Sequence, residues 1–313
     1  MARLAVSERA LELADLRGSM ARRRKEGLIT RAFQGAALAS IVISAAIVLS
    51  LAGKAAAFAL NVDLGALWSY GWFPRRGAFD IKTIVAGTLL VSGIAMIVAA
   101  PLGLGAAIYL SEYAGPRLRR WLKPILEILA GIPSVVLGYF AITWINPQIV
   151  QRIWEQAGFF TMAAAGIAVG ILVTPLVASV SEDALRSVPH ALREASFGIG
   201  ARRRTTTVRI VVPAAVSGVV AALILGISRA IGETMIVAIA SGATGGSEFS
   251  LNPAAPGQTM TAAMTALAIG SDQVRGEAYT FESLYFVGML LFLMTLALNV
   301  MSERFVRRVR RKY

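Results

Sequence analysis

The chain has 313 residues, of which 56% are hydrophobic and only 16% are charged, and its mean hydropathy is +0.66. These values exclude an ordinary water-soluble domain. The sequence has no cysteine and a single histidine, His190, which excludes disulfides and thiolate metal sites and leaves too few ligands for a zinc site. We therefore predict an all-α integral membrane protein that binds no metal.

Uncharged apolar runs of membrane-spanning length recur along the chain. They predict six transmembrane helices, at residues 32–52, 83–110, 122–145, 157–181, 210–240 and 283–302. With these spans, 24 of the 31 Lys and Arg residues lie on one side, which the positive-inside rule makes cytoplasmic together with both termini. The net charge of +13 is therefore interpreted as an orientation signal and not as a nucleic-acid-binding surface.

This pattern predicts a multi-pass protein of the cell's inner or plasma membrane. A basic cytoplasmic tail at 1–30 precedes a membrane domain at 31–305, and a second basic tail follows at 306–313. The membrane domain contains a long cytoplasmic loop at 182–213. The first apolar run is too long for the core of a signal peptide and begins some thirty residues from Met1, so we expect an uncleaved span.

Two segments are predicted on the outer side. The first, at 53–82, holds aromatic residues that suit a membrane interface, namely Trp68, Tyr70, Trp72 and Phe73. The second, at 241–282, is interrupted by glycines and prolines. Within it, Met260–Ile269 is apolar but too short to cross, which predicts an external or re-entrant helix.

Prolines interrupt three of the spans, at Pro101, Pro133 and Pro175. Each removes a backbone hydrogen bond and favours a kink, which membrane helices tolerate when neighbours satisfy the freed carbonyl. The sequence from Gly131 to Gly138, Gly-Ile-Pro-Ser-Val-Val-Leu-Gly, is unusual for a plain packing helix because it joins a helix break to a β-branched pair.

Few polar side chains lie within the spans. The hydroxyls of Thr88, Ser92 and Ser134 are candidates to line a pathway, although such hydroxyls often bond only to their own helix. Glu127 follows Lys123 by four residues, which predicts an ion pair near the membrane interface.

The cytoplasmic loop carries the sequence Glu-Ala-Ser-Phe-Gly-Ile-Gly at 194–200, followed by Ile-Val-Val-Pro at 210–213. This order predicts a short helix, a turn at Gly200 and re-entry into the membrane at Pro213. Glu194 is expected to cap the helix or to pair with an arginine. The arginines at 202–204 suit either acidic groups of a partner or lipid headgroups.

The spacing of this loop resembles the EAA loop of importer-type ATP-binding-cassette permeases. Ser196 stands in place of the second alanine of that motif, and Val212 in place of its leucine. In that family the loop docks into a separate ATPase, so we name residues 182–213 the coupling loop. The resemblance assigns docking to Glu194, Ala195, Gly200, Ile210 and Pro213.

Arg229 and Glu233 are the opposite charges deep in the predicted fifth span, four residues apart and so on one helix face. Intramembrane charges are costly and normally face a bundle interior or a watery cavity. The pair fits either a structural ion pair or a gate for an anion. In the second interpretation Arg229 attracts the anion, and Glu233 holds the guanidinium when the site is empty.

Three motifs resemble the permeases of the Pst-type phosphate importer, the C-type subunit more than the A-type. They are Ala130–Val136, Arg229–Met235 and Gln258–Thr261, and the resemblance extends over residues 80–305. It implies a six-helix permease of the type I importer kind, which carries inorganic phosphate. It also places Arg229 and Glu233 in the transport pathway, to which we add Ser134 and Thr88.

The chain is predicted not to be an enzyme, because it has no Gly-x4-Gly-Lys-Ser/Thr phosphate-binding loop. The resemblance implies that ATP and Mg²⁺ bind two copies of a partner ATPase, beside a homologous second permease and an external phosphate-binding protein. Three alternatives remain open at this point. They are a permease for molybdate or sulfate, a passive channel, and a membrane scaffold or sensor that reports phosphate status.

Overall fold

The computed structural model describes residues 20–68, 70–242, 246–269 and 279–310, and these are mostly helical. Of the two predicted basic tails, residues 1–19 and 311–313 lie outside the described ranges. The helices, numbered in chain order, are α1 (Met20–Asn61), α2 (Ile81–Ile108), α3 (Pro116–Ala130), α4 (Ser134–Ile153), α5 (Met162–Arg186), α6 (His190–Gly198), α7 (Arg203–Ala214), α8 (Val216–Ile231), α9 (Met235–Ala240), α10 (Met260–Ile269) and α11 (Glu282–Arg310).

Several helices include wider turns. A π-helical turn at Tyr109–Tyr113 extends α2, and π-helical stretches occupy Ala141–Val150 of α4 and Thr207–Val211 of α7. Two 3₁₀ turns, at Leu64–Trp68 and Pro74–Arg76, precede α2. Such π turns are uncommon and concentrate near functional sites.

Within the described ranges, four helices are long and apolar enough to cross a membrane, namely α1, α2 with its extension, α5 and α11. The pairs α3–α4 and α7–α8 are bent by 84° and 71°, and would bring the number of spans to six if each pair counts as one. The spans predicted at 122–145 and 210–240 are therefore each broken into two helices, and the number of six spans stays a prediction. The first bend falls at the Gly-Ile-Pro sequence 131–133, where Pro133 cannot continue the hydrogen-bond ladder of α3.

The chain divides into two compact units, residues 1–51 and 52–313. The described part of the first unit is α1 up to Leu51, whose apolar side chains, such as Phe33 and Leu38, are exposed. An exposed apolar helix of this length suits contact with lipid or with another membrane chain. The second unit contains all the remaining elements.

The centre of the second unit is the contact between α2 and α5. A Cβ atom on Gly166 would lie 2.7 Å from Ile94 Cβ, and one on Gly170 would lie 2.7 Å from Val98 Cβ. Glycines four residues apart therefore let the two backbones approach closely, as in other membrane helix pairs. The core around this contact also includes buried side chains of α4 and α9.

A second cluster lies where α2 begins. Strands β1 (Trp72–Phe73) and β2 (Ala78–Phe79) form an antiparallel hairpin with Trp72 opposite Phe79. Trp72 packs with Phe79, and its backbone N–H donates to Ser247 O at 2.8 Å, so its ring is buried. The prediction of an interfacial aromatic belt was therefore wrong for Trp72, whereas Trp68 is exposed.

The short helix α10 packs against this second cluster. Met260 and Ala263 are buried beside Ile84 of α2 and Val287 of α11. The structure therefore confirms a helix at 260–269 that is too short to span, and shows it enclosed by longer helices. Of the predicted outer segment 241–282, residues 243–245 and 270–278 lie outside the described residues.

Candidate functional site

Arg229 and Glu233 meet at the end of α8. Helix α8 stops at Ile231, so Glu233 lies in the break before α9, and the expectation of one continuous helix face was wrong. The side chains still approach because the last turn brings them together, with Arg229 Nη1 3.5 Å from Glu233 Oε2. The Arg229 side chain is 52% exposed and that of Glu233 only 4%. A buried carboxylate thus faces a cation that other groups can reach.

The backbone at Glu233 is held by the first turn of α10. Thr261 Oγ1 donates to Glu233 O at 2.7 Å, and the hydroxyls of Thr259 and Thr261 are 3.0 Å apart. Thr259 Oγ1 also accepts a hydrogen bond from Ala262 N and so caps the start of α10. The structure therefore joins two of the three resemblance motifs, Arg229–Met235 and Gln258–Thr261.

Thr88 is part of the same arrangement. Its Oγ1 donates to Ile84 O at 2.7 Å and accepts from Met260 N at 3.0 Å, so the hydroxyl bonds to its own helix and also holds α10. Ser92 Oγ donates to Thr88 O at 2.7 Å, as expected for a hydroxyl that bonds within its helix. Thr88 is buried, and its role in a pathway stays a prediction.

The third motif, Ala130–Val136, covers the break between α3 and α4 and the first residues of α4. Ser134 is the first residue of α4 and is partly exposed, so its role in a pathway also stays a prediction. Four residues on, Gly138 lies against α9, where an added Cβ would be 3.1 Å from Ile239 Cδ1 and 3.3 Å from Ile236 Cα. This close contact brings α4 beside the helix that follows Glu233.

Helix α6 of the coupling loop ends in a Schellman motif. Gly200 has φ +81°, Gly200 N donates to Phe197 O at 2.9 Å, and Ala201 N donates to Ser196 O at 3.1 Å. The predicted turn at Gly200 is therefore present, and it requires a conformation that glycine adopts without strain. The buried Ser196 hydroxyl is 2.8 Å from that of Thr206 on α7. This contact joins α6 to α7 within the coupling loop.

An ion pair anchors α6 to two other helices. Arg193 Nη2 is 2.9 Å from Glu112 Oε1 in the π-helical extension of α2. The same guanidinium donates to Leu185 O at 2.9 Å and to Val188 O at 2.6 Å, both beside the end of α5. The sequence analysis missed this pair. The available signal was an acidic residue, Glu112, at the end of an apolar run.

The predicted docking residues are mostly accessible. Glu194 and Ala195 are exposed near the middle of α6, and Glu194 has no ion pair within 4 Å among the described residues. Ile210 is partly buried and Pro213 is exposed in α7. Exposed apolar side chains surround them on the loop, namely Leu192, Phe197, Ile199 and Val208.

A second ion-pair cluster joins α3 to α5. Arg119 Nη2 is 2.6 Å from the buried Glu182 Oε1, and Lys123 Nζ is 3.2 Å from Glu182 Oε2. Lys123 also lies 3.1 Å from Asp183 Oδ1. The prediction that Lys123 pairs with Glu127 was therefore wrong, because the carboxylates of α5 hold the ammonium group instead.

Comparison with known proteins identifies the family. Residues 99–311 match the model described as binding-protein-dependent transport system inner membrane component. The chain belongs to this family. This chain is 33% identical to the phosphate transport system permease protein PstC 1 of Mycobacterium tuberculosis, over 76% of this chain and 75% of that protein. It is also 30% identical to the probable ABC transporter permease YqgH of Bacillus subtilis, over 76% and 77%.

Another relative and two solved structures extend this comparison. PstA 1 of Mycobacterium tuberculosis is 37% identical, over 55% of this chain and 54% of that one. A chain from the structure of a bacterial alginate ABC transporter has a TM-score of 0.63 at 14% identity, covering 91% of this chain and 96% of that one. A chain of the MetNI methionine ABC transporter has a TM-score of 0.53 at 19% identity, covering 73% and 93%. Together with the family match, these structures confirm the predicted fold class, a helical multi-pass membrane protein of the type I importer permease kind.

Proposed function

We propose that this inner membrane component is the C-type permease subunit of an ATP-driven importer of inorganic phosphate. The observation that carries the proposal is the meeting of the Arg229–Met235 and Gln258–Thr261 motifs at one buried carboxylate. The relatives called PstC align over three quarters of the chain and the PstA relative over about half, which favours the C-type.

The chemistry of the Arg229–Glu233 pair suits phosphate. The half-exposed guanidinium of Arg229 attracts an anion, and the buried carboxylate of Glu233 neutralises it when no anion is bound. At 3.5 Å the pair is longer than a strong charge-assisted hydrogen bond, so an anion can compete for the guanidinium. The carboxylate also accepts a hydrogen bond from hydrogen phosphate, whereas sulfate carries no proton to donate. Ser134 and Thr88 would add hydroxyl donors along the pathway.

Energy would enter through the coupling loop. The exposed apolar side chains on and beside α6, among them Phe197 and Ile199, form the kind of surface that a partner protein covers. We assign this surface to a cytoplasmic ATPase that binds ATP and Mg²⁺, with Glu194 and Ala195 at the contact. Two ATPase copies, a homologous second permease and an external phosphate-binding protein complete the proposed assembly.

The test is ATP-dependent uptake of labelled phosphate into proteoliposomes that contain the assembled transporter. The binding protein is added outside, and sulfate and molybdate are present as competitors. Uptake that requires ATP and the binding protein and resists sulfate supports the proposal. ATP hydrolysis by an intact assembly that imports molybdate or sulfate instead would overturn the phosphate assignment, and uptake without ATP would indicate a passive channel.

Variants of the ion pair locate the pathway. Arg229→Gln and Glu233→Gln are expected to lose most uptake while the complex still assembles, because each leaves a charge without its partner. Arg152→Gln is the matched control, since Arg152 is an exposed arginine that bonds to Gln148 in its own helix. Full uptake by both pathway variants would show that the pair is only structural.

A further inference from the structure

Helix α3 is strongly amphipathic, with separate apolar and basic faces. Its exposed apolar side chains include Trp121, which is 75% exposed, together with Ile125 and Ile128. These positions are three or four residues apart and form one stripe along the helix. Basic residues fill much of the remaining surface, namely Arg117, Arg119, Arg120 and Lys123. A helix of this composition suits the plane of a membrane interface.

The bend after α3 agrees with that position. At 1.5 Å per residue or slightly less in its π-helical part, α4 is about 25 to 30 Å long, which is the thickness of the hydrocarbon core. Helix α4 can therefore cross the membrane without α3. Because the two helices meet at 84°, α3 lies nearly parallel to the membrane surface when α4 crosses along the normal.

Ion pairs hold α3 beside the cytoplasmic end of α5 and neutralise two of its four basic side chains. Arg119 and Lys123 bind Glu182 of α5, the first residue of the coupling loop, on the side that the positive-inside rule marks as cytoplasmic. Arg117 and Arg120 are exposed and have no ion pair within 4 Å among the described residues. Two positive charges therefore remain available beside the apolar stripe.

A cleft beside these charges has the size of a lipid headgroup. It measures about 450 Å³ and is lined by Pro116, Arg119, Arg120, Lys123, Pro124 and Glu127. The basic side chains outnumber the one carboxylate, Glu127, so the cleft favours an anion. The cytoplasmic leaflet is negatively charged, and basic residues at its surface are attracted to anionic lipids.

We infer that α3 is an interfacial helix that binds anionic phospholipid in the cytoplasmic leaflet. The apolar stripe lies among the upper acyl chains, and Arg117 and Arg120 hold the phosphate-bearing headgroup at the cleft. The inference does not depend on the transported substrate. It assigns a lipid ligand to a segment that otherwise counts only as half of a broken span.

Depth measurements test the position of α3. The chain contains no cysteine, so Trp121→Cys or Ile128→Cys gives one labelling position in this subunit when cysteine-free partner chains are used. A bimane label at either position is expected to be quenched most by phosphatidylcholine brominated near the headgroup. Leu126→Cys is the matched control, because Leu126 is half-buried and lines a cavity between α3 and α5 together with Leu176, so its label should be less accessible to lipid. Equal protection at all three positions would show that a protein covers the stripe, and stronger quenching by deeply brominated lipid would show that α3 crosses the membrane.

Lipid selectivity tests the role of the arginines. In nanodiscs, the Trp121→Cys label should report enrichment of brominated phosphatidylglycerol over brominated phosphatidylcholine. Arg117→Gln with Arg120→Gln is expected to reduce that preference by about fivefold for each charge removed. Arg152→Gln, on the far end of α4, should leave the preference unchanged. No preference in the parent, an equal loss with Arg152→Gln, or displacement of the lipid by millimolar inorganic phosphate would each overturn the inference.

Discussion

Replacement of Arg193 by alanine is expected to release α6 from the ends of α2 and α5. The Arg193 side chain is 12% exposed and that of its partner Glu112 is 7% exposed. The variant leaves the Glu112 carboxylate without its cation and removes the donor from two backbone carbonyls, Leu185 O and Val188 O. Removing one partner of a buried pair costs about 3 to 5 kcal/mol.

We expect the lower end of that range, because water can reach part of this site at the edge of the fold. A local cost of about 3 kcal/mol corresponds to a change of roughly 150-fold in the equilibrium between docked and released α6. Amide hydrogen exchange in α6 measures this equilibrium and should accelerate by about two orders of magnitude. In proteoliposomes, ATP hydrolysis should continue while phosphate uptake per ATP falls.

Two further variants sharpen this prediction. Arg193→Lys keeps the charge but lacks the forked guanidinium that bonds to three acceptors at once, so an intermediate acceleration is expected. Arg209→Ala removes an exposed arginine from α7 and should leave exchange in α6 unchanged. If Arg193→Ala exchanges as slowly as Arg209→Ala, the pair does not anchor α6.

Three other substitutions have expected outcomes. Gly200→Ala places a side chain at φ +81° and should cost about 1 to 2 kcal/mol, which is measured as weaker capture of the ATPase. Thr261→Val removes the donor to Glu233 O, so the KM for phosphate should rise more than kcat falls, and Thr261→Ser should restore it. Gly170→Ala puts a Cβ 2.7 Å from Val98 Cβ and 2.8 Å from Ala95 O, which should lower the melting temperature of the purified chain.

Each of these substitutions has a control variant that should have little effect. For Gly200→Ala the control is Gly198→Ala, which adds a methyl group to open space within α6. For Thr261→Val it is Thr265→Val, which removes a hydroxyl that bonds only to its own helix, and for Gly170→Ala it is Gly105→Ala, whose added methyl group also meets open space. ATPase capture, uptake kinetics and melting temperature should stay near the parent values in these controls. A control as damaging as its counterpart would refute the stated cause in that case.

Hydropathy was sufficient to find the long spans, because apolar runs of this length have few alternatives to a membrane helix. It did not find the breaks within them. Pro133 gave a visible signal for the bend after α3, but the bend at Ala215 falls two residues after Pro213, where no residue type requires it. Gly232 marks the end of α8, but the apolar residues on both sides of it favoured the prediction of one continuous span.

The charged contacts were harder to predict than the helices. Spacing along the helix favoured Lys123 with Glu127, yet Lys123 binds Glu182 and Asp183, about sixty residues away in sequence. Arg229 and Glu233 were paired correctly because the contact is local. The Thr261 hydroxyl donates to the backbone carbonyl of Glu233, which lies in a helix break. No residue type in the sequence indicates that such a carbonyl will accept a side-chain hydrogen bond.

Helix α5 extends as one helix from the end of α9 to the start of α6, with Pro175 inside it. At its start, Thr161 N donates to Ala240 O at the end of α9, and at its far end Leu185 O accepts from Arg193 of α6. Its 25 residues measure about 37 Å, and Gly166 and Gly170 let it pack closely against α2. A tilt of about 5° around one end displaces the other by about 3 Å over this length. If the proposed partner moves α6, helix α5 would transmit that movement to the end of α9, because no loop lies between its two ends.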